Sequence, residues 1–188
     1  MNIRYLLFGL LSLVFLAGCQ RDDICPESAD ITPFLILRFY DIEDQQLTKA
    51  PQNLSIREVG DDTTFVSIRS NSSTITYFRY SQDSIAIPLR TDFGETNLEF
   101  ILNTSETLEE GEDPDEEEDE ENAQNTDILR FSYTVQEEYL NRACAYKANY
   151  IGLKVNLEGG EDDSWMQNIQ ILETNIDDQN NAHVSIFF

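Results

Sequence analysis

Cations are scarce in this chain. Its 188 residues hold 12 Lys and Arg against 36 Asp and Glu, for a formal net charge of −24. Such a surface repels phosphate backbones and anionic lipid heads, because nucleic-acid affinity comes from cations that replace condensed counterions. Nucleic acid is therefore excluded as a partner. Histidine is scarcer still, with His183 alone. A Ser-His-Asp catalyst would have to use it, and no Gly-x-Ser-x-Gly elbow accompanies it. Gly-rich phosphate loops, Cys-x-x-Cys pairs, His clusters and Asp-x-Asp-x-Asp-Gly calcium loops are also missing. No cofactor and no metal site is implied. Paired carboxylates for glycoside hydrolysis carry no signal in a chain with so many acids. Long apolar runs are lacking too: the stretch near the start, Tyr5 to Leu16, has 12 residues, short of the roughly 20 that cross a bilayer.

What that stretch does have is its flanks. Arg4 precedes it, and Ala17, Gly18 and Cys19 follow. A cation, a short apolar core and small residues make a signal peptide, residues 1–18. Leu16-Ala17-Gly18-Cys19 resembles the lipobox of bacterial lipoproteins, which implies an acylated Cys19 as the first mature residue. Each buried methylene contributes about 0.8 kcal/mol, so two or three acyl chains hold far more firmly than one. Losing residues 1–18 removes a single charge, that of Arg4, and leaves −25. Gln20-Arg21-Asp22-Asp23 follows the anchor within a tether over 19–32. It resembles the surface-export signal of Bacteroidota lipoproteins; an ordinary solvated tether is the other reading, so the face of the outer membrane stays open.

Of three cysteines the lipobox uses one, and Cys25 and Cys144 remain. An oxidising compartment favours a disulfide between them. Two free thiols or a metal site are the alternatives, and His183 alone supplies too few further ligands for a metal.

Beyond Pro33 the chain alternates with a period of two. Leu54 and Ile56, then Ile85, Ile87 and Leu89, then Leu98, Phe100 and Leu102 recur at every second position. The same holds for Leu129 to Val135, for Ile151, Leu153, Val155 and Leu157, and for Ala182, Val184 and Ile186. Each reads as a half-buried strand. Phe34-Leu35-Ile36-Leu37 with Phe39-Tyr40 does not alternate, which predicts a central strand covered on both faces. Turn residues at Gly60-Asp61-Asp62, Asp92-Phe93-Gly94, Gly159-Gly160 and Asp177 to Asn180 separate the strands. Gln136 to Ala143 is expected to form at most a short helical turn. The 170 residues after the signal suit one domain. An all-β antiparallel sandwich or barrel-like fold over 33–188 follows.

Residues 106–125 interrupt it. Glu109 to Glu121 is almost wholly acidic, so it buries nothing and repels itself, as a disordered insertion into a hairpin connection would. His183 lies on the register opposite Ala182, Val184 and Ile186, which predicts a solvent-facing or edge side chain. Trp165 and the tyrosines fall within strand patterns and are expected in the core or in cross-strand pairs, not on a sugar-stacking platform.

Four segments carry a family likeness: Asp22-Asp23-Ile24-Cys25, Arg38-Phe39-Tyr40-Asp41, Arg142-Ala143-Cys144-Ala145-Tyr146-Lys147, and Ala182-His183-Val184-Ser185-Ile186-Phe187-Phe188. Together they resemble a family of uncharacterised Bacteroidota lipoproteins, a domain of unknown function. Ala145 stands where that resemblance implies glycine, and the acidic run is an addition. The likeness implies a lipid-anchored outer-membrane protein with an outer-membrane barrel protein as its neighbour, and supplies no catalytic residues. Two readings follow: a non-catalytic module docking on an outer-membrane protein or surface glycan, or a surface hydrolase acting through paired carboxylates.

Overall fold

The computed structural model describes residues 24–26, 29, 31–69, 75–76, 78–104, 124–159 and 164–188. The signal segment with Cys19 and Gln20 to Asp23, and the acidic run Glu109 to Glu121, lie outside them. Among the described residues there is no helix. Ten strands form: β1 Leu35–Tyr40, β2 Ser55–Glu58, β3 Ile68–Arg69, β4 Ile75–Thr76, β5 Ser84–Ile87, β6 Glu95–Leu102, β7 Asn125–Asn141, β8 Ala145–Gly159, β9 Asn168–Ile171 and β10 Val184–Phe187. Asn125, at the end of the expected insertion, already belongs to β7.

The strands make two sheets, one of six in the order β4-β3-β5-β1-β10-β9 and one of four in the order β2-β6-β7-β8. Their alternating apolar sides face each other. Leu35, Leu37 and Phe39 of β1, with Ile85, Ile87, Val184 and Ile186, meet Ile56, Leu98, Phe100, Leu129 and Phe131 in one buried cluster. The fold is a single-domain all-β sandwich, and the period-two pattern is the reason: each strand has one side to bury. Trp165 closes the core near β6, where its indole N–H donates to the Phe100 carbonyl at 3.2 Å and its ring packs edge-on to Phe188.

Three local readings need correction. β1 is central, lying between β5 and β10, but its second side is only half covered, with Arg38 exposed. The strand covered on both faces is β10, where Val184, Ser185, Ile186 and Phe187 are all buried. It pairs parallel with β1, Leu37 opposite Val184 and Tyr40 opposite Phe187, and Tyr40 stacks on Phe187 from outside the core. Ile151 was expected inward with Leu153. A bulge at Gly152, whose φ is +71°, shifts the register so that Ala148 and Tyr150 point inward before it and Leu153 after it. Finally, Gln136 to Ala143 is no helical turn: β7 continues through Asn141.

Candidate functional site

That continuation builds an arm. The Tyr133 N–H donates to the Gly94 carbonyl at 2.9 Å, the last bond from β7 towards β6. From Thr134 to Asn141, β8 is the partner strand of β7. Those eight residues carry the ribbon roughly 26 Å beyond the four-stranded sheet at about 3.3 Å per residue. The body braces it along the β8 side, from Tyr150, which exchanges backbone bonds with Ile176, to Lys147 beside Tyr146, whose ammonium donates to the Asp177 carbonyl at 2.7 Å.

Two tyrosines bolt the arm to the body. Tyr133 and Tyr150 meet edge to face at 5.0 Å. The Tyr133 hydroxyl donates to the Arg90 carbonyl at 2.8 Å and the Tyr150 hydroxyl to the Leu89 carbonyl at 3.1 Å. Burial pushes the Tyr150 phenol up to about 12, so it stays a neutral donor throughout the physiological range. Beside them Gly94 is close-packed: a Cβ there would stand 2.7 Å from the Tyr133 carbonyl oxygen.

At the tip, the Asn141 side chain closes the turn by accepting from the N–H groups of Ala143 and Cys144 at 2.9 and 2.8 Å. Ala145 leaves the turn with φ of +58°, in the left-handed region that favours glycine. Tyr139 and Tyr146 face each other across the ribbon, their rings 5.3 Å apart, and remain 58% and 63% exposed. Arg142 is exposed in the turn and makes no ion pair among the described residues.

Cys25 and Cys144 are joined by a disulfide at this tip, their Cα atoms 4.7 Å apart and their positions 119 apart in sequence. Seven positions after Cys25, Thr32 Oγ1 accepts from the Ala148 N–H of β8 at 2.9 Å, shortly before β1 begins. The tip thus joins the segment just after Cys19 to the far end of the longest hairpin. Cys19 itself lies outside the described residues. Sequence reasoning missed Tyr139, Tyr146 and Arg142 as a site. The signal was there: two tyrosines flank a short turn that contains a cysteine.

His183 sits elsewhere, and not where it was expected. It is 1% exposed. Its Nδ1 accepts from the Ile36 N–H at 2.9 Å, while its own backbone N–H donates to the Ile36 carbonyl. Burial holds its pKa below the ordinary 6.5, against the opposing pull of Glu173, Asp178 and Asp177. A ring with Nδ1 so engaged serves the sheet. Asp127 is also buried, and its Oδ2 accepts from Ser164 Oγ at 2.9 Å and from the Met166 N–H at 2.8 Å. Among the described residues no three His, Cys, Asp or Glu side chains are grouped to hold a metal, and no helix is long and apolar enough to cross a membrane. Trp165, Tyr80, Tyr133 and Tyr150 are core residues, so the exposed aromatic pair is Tyr139 with Tyr146.

Residues 53–188 match the family of unknown function DUF6452. No curated protein and no solved structure matches the chain.

Proposed function

The chain belongs to DUF6452, a family of unknown function, and from that premise we propose a non-catalytic, lipid-anchored envelope protein. In this reading Cys19 carries the acyl chains at the outer membrane of a Bacteroidota-type cell, and the domain docks on a neighbouring outer-membrane protein or surface glycan. The observation that carries it is the disulfide of Cys25 with Cys144. Cys25 follows Cys19 by six positions, a reach of at most about 20 Å. Without the bond, the first fixed strand would begin at Leu35, sixteen positions on, and the domain would swing on a tether of about 55 Å. A bond that shortens a tether is useful to a protein whose partner lies in the same membrane. Support for the non-catalytic part comes from His183, whose Nδ1 is taken by the Ile36 N–H.

The test is chemical crosslinking in intact cells, followed by purification of the lipoprotein from its own membrane. Wild-type protein should label with fatty acid and recover one outer-membrane partner in stoichiometric yield. The Cys19→Ala chain should lose label, membrane attachment and partner together. Fatty acid still present on the Cys19→Ala chain, or a wild-type protein recovered alone, would overturn the reading.

A further inference from the structure

The tip of the arm combines three kinds of side chain seldom left in water together. Tyr139 and Tyr146 offer two exposed rings. Arg142 stands between them in sequence without a carboxylate partner among the described residues, in a chain with three acids for every cation. Ile24, next to the disulfide, is 84% exposed. Tyrosine rings, a cation able to meet phosphate and an exposed aliphatic chain are the residue types that settle at the level of lipid headgroups.

We propose that this tip rests in the headgroup layer of a zwitterionic phospholipid membrane, the same membrane that holds Cys19. The proposal rests on the reading of Cys19 as lipidated. Geometry then leaves little freedom. Ile24 is five positions from Cys19, so the tip lies within about 20 Å of the anchor. Charge sets the depth. Glu137 shares the ribbon face of Tyr139 two positions nearer the body, about 7 Å back along the strand. A carboxylate there must stay in water, so the tyrosines enter and the glutamate does not. An acidic chain is repelled by anionic lipids, which is why the membrane proposed is a zwitterionic one.

The test uses the full-length lipidated protein in phosphatidylcholine vesicles, with and without brominated acyl chains. Tryptophan placed at the tip, Tyr146→Trp, is compared with tryptophan at an exposed site at the other end of the sandwich, Leu47→Trp. Buried Trp165 stays in place, and its emission is subtracted using the parent protein. Flotation with the vesicles and fatty-acid label establish the anchor first. The expected result is loss of emission by brominated lipid for Tyr146→Trp and none for Leu47→Trp. A protein that floats but shows equal emission in both vesicle types at position 146 overturns the tip contact while leaving the anchor intact. Quenching at both positions overturns it as well, because the domain would then lie flat. A protein that fails to label or float overturns the lipidation on which the proposal depends.

Discussion

Across 147 positions of sequence, the His183 imidazole accepts from the Ile36 N–H at Nδ1, and the His183 backbone N–H donates in return to the Ile36 carbonyl. Protonating Nδ1 would remove the acceptor that the Ile36 N–H uses inside the larger sheet. The folded pKa lies below the ordinary 6.5, so in the window beneath 6.5 the unfolded chain binds more protons than the native one. Stability from this group is complete above about pH 6.5 and is lost as pH falls through the folded pKa. Denaturant unfolding of the wild type and of His183→Asn, which keeps an acceptor but does not titrate, should show a larger acid loss in the wild type. Equal losses would sink the idea.

Ala145 pays for its left-handed backbone at the turn of β7 and β8. That conformation costs an L-residue about 1–2 kcal/mol, and glycine gives back about 0.4–1 kcal/mol through the entropy of the unfolded chain. Ala145→Gly should raise stability by about 0.5–1 kcal/mol, read as a higher urea midpoint at unchanged slope. A lowered midpoint would show that the alanine methyl makes a contact worth more than the strain.

Gly94 answers in the opposite sense. A methyl group there would meet the backbone oxygen of Tyr133 at 2.7 Å, and backbone on both sides has little room to give. Gly94→Ala should cost about 1–3 kcal/mol, the usual penalty of overpacking. Thermal unfolding checks it, and an unchanged midpoint would mean that the loop from Thr91 to Gly94 shifts freely.

The disulfide gives the largest expected effect. Peptide mapping without reductant should find Cys25 joined to Cys144, with no free thiol after denaturation. Cys144→Ser should lower stability by about 2–5 kcal/mol, the usual cost of losing a native bridge from a small domain. Alkylation of both cysteines in the unreduced protein would defeat the claim.

Much of the sandwich was legible in the sequence because alternation is local. Leu98 and Phe100, or Leu129 and Phe131, announce their inward side within a few residues, and the core contains them as expected. What failed was non-local. Nothing near Val184 tells that Tyr40 will cover its neighbour Phe187 from outside, so β10 read as half-exposed and His183 with it. Ile151 failed because the left-handed Gly152 resets the register, and one glycine among apolar residues does not say which way. The arm was missed because Glu137 and Glu138 interrupt the apolar pattern. The exposed β7 stretch from Gln136 to Tyr139 has little to bury and gives period-two reasoning nothing to count.

The parallel pairing of β1 with β10 also decides how this chain reaches its native state. The residues of β1 are synthesised before those of every other described strand, yet its neighbour β10 comes from the segment that follows them all. Until β10 arrives, the larger sheet has a gap in its middle, with β1 unpaired on one side and β9 without its partner. Closing so long a loop makes folding slow and leaves an open apolar edge in the meantime. The domain therefore folds late and as a whole, and a chaperone that covers the waiting edge of β1 would guard it best against aggregation.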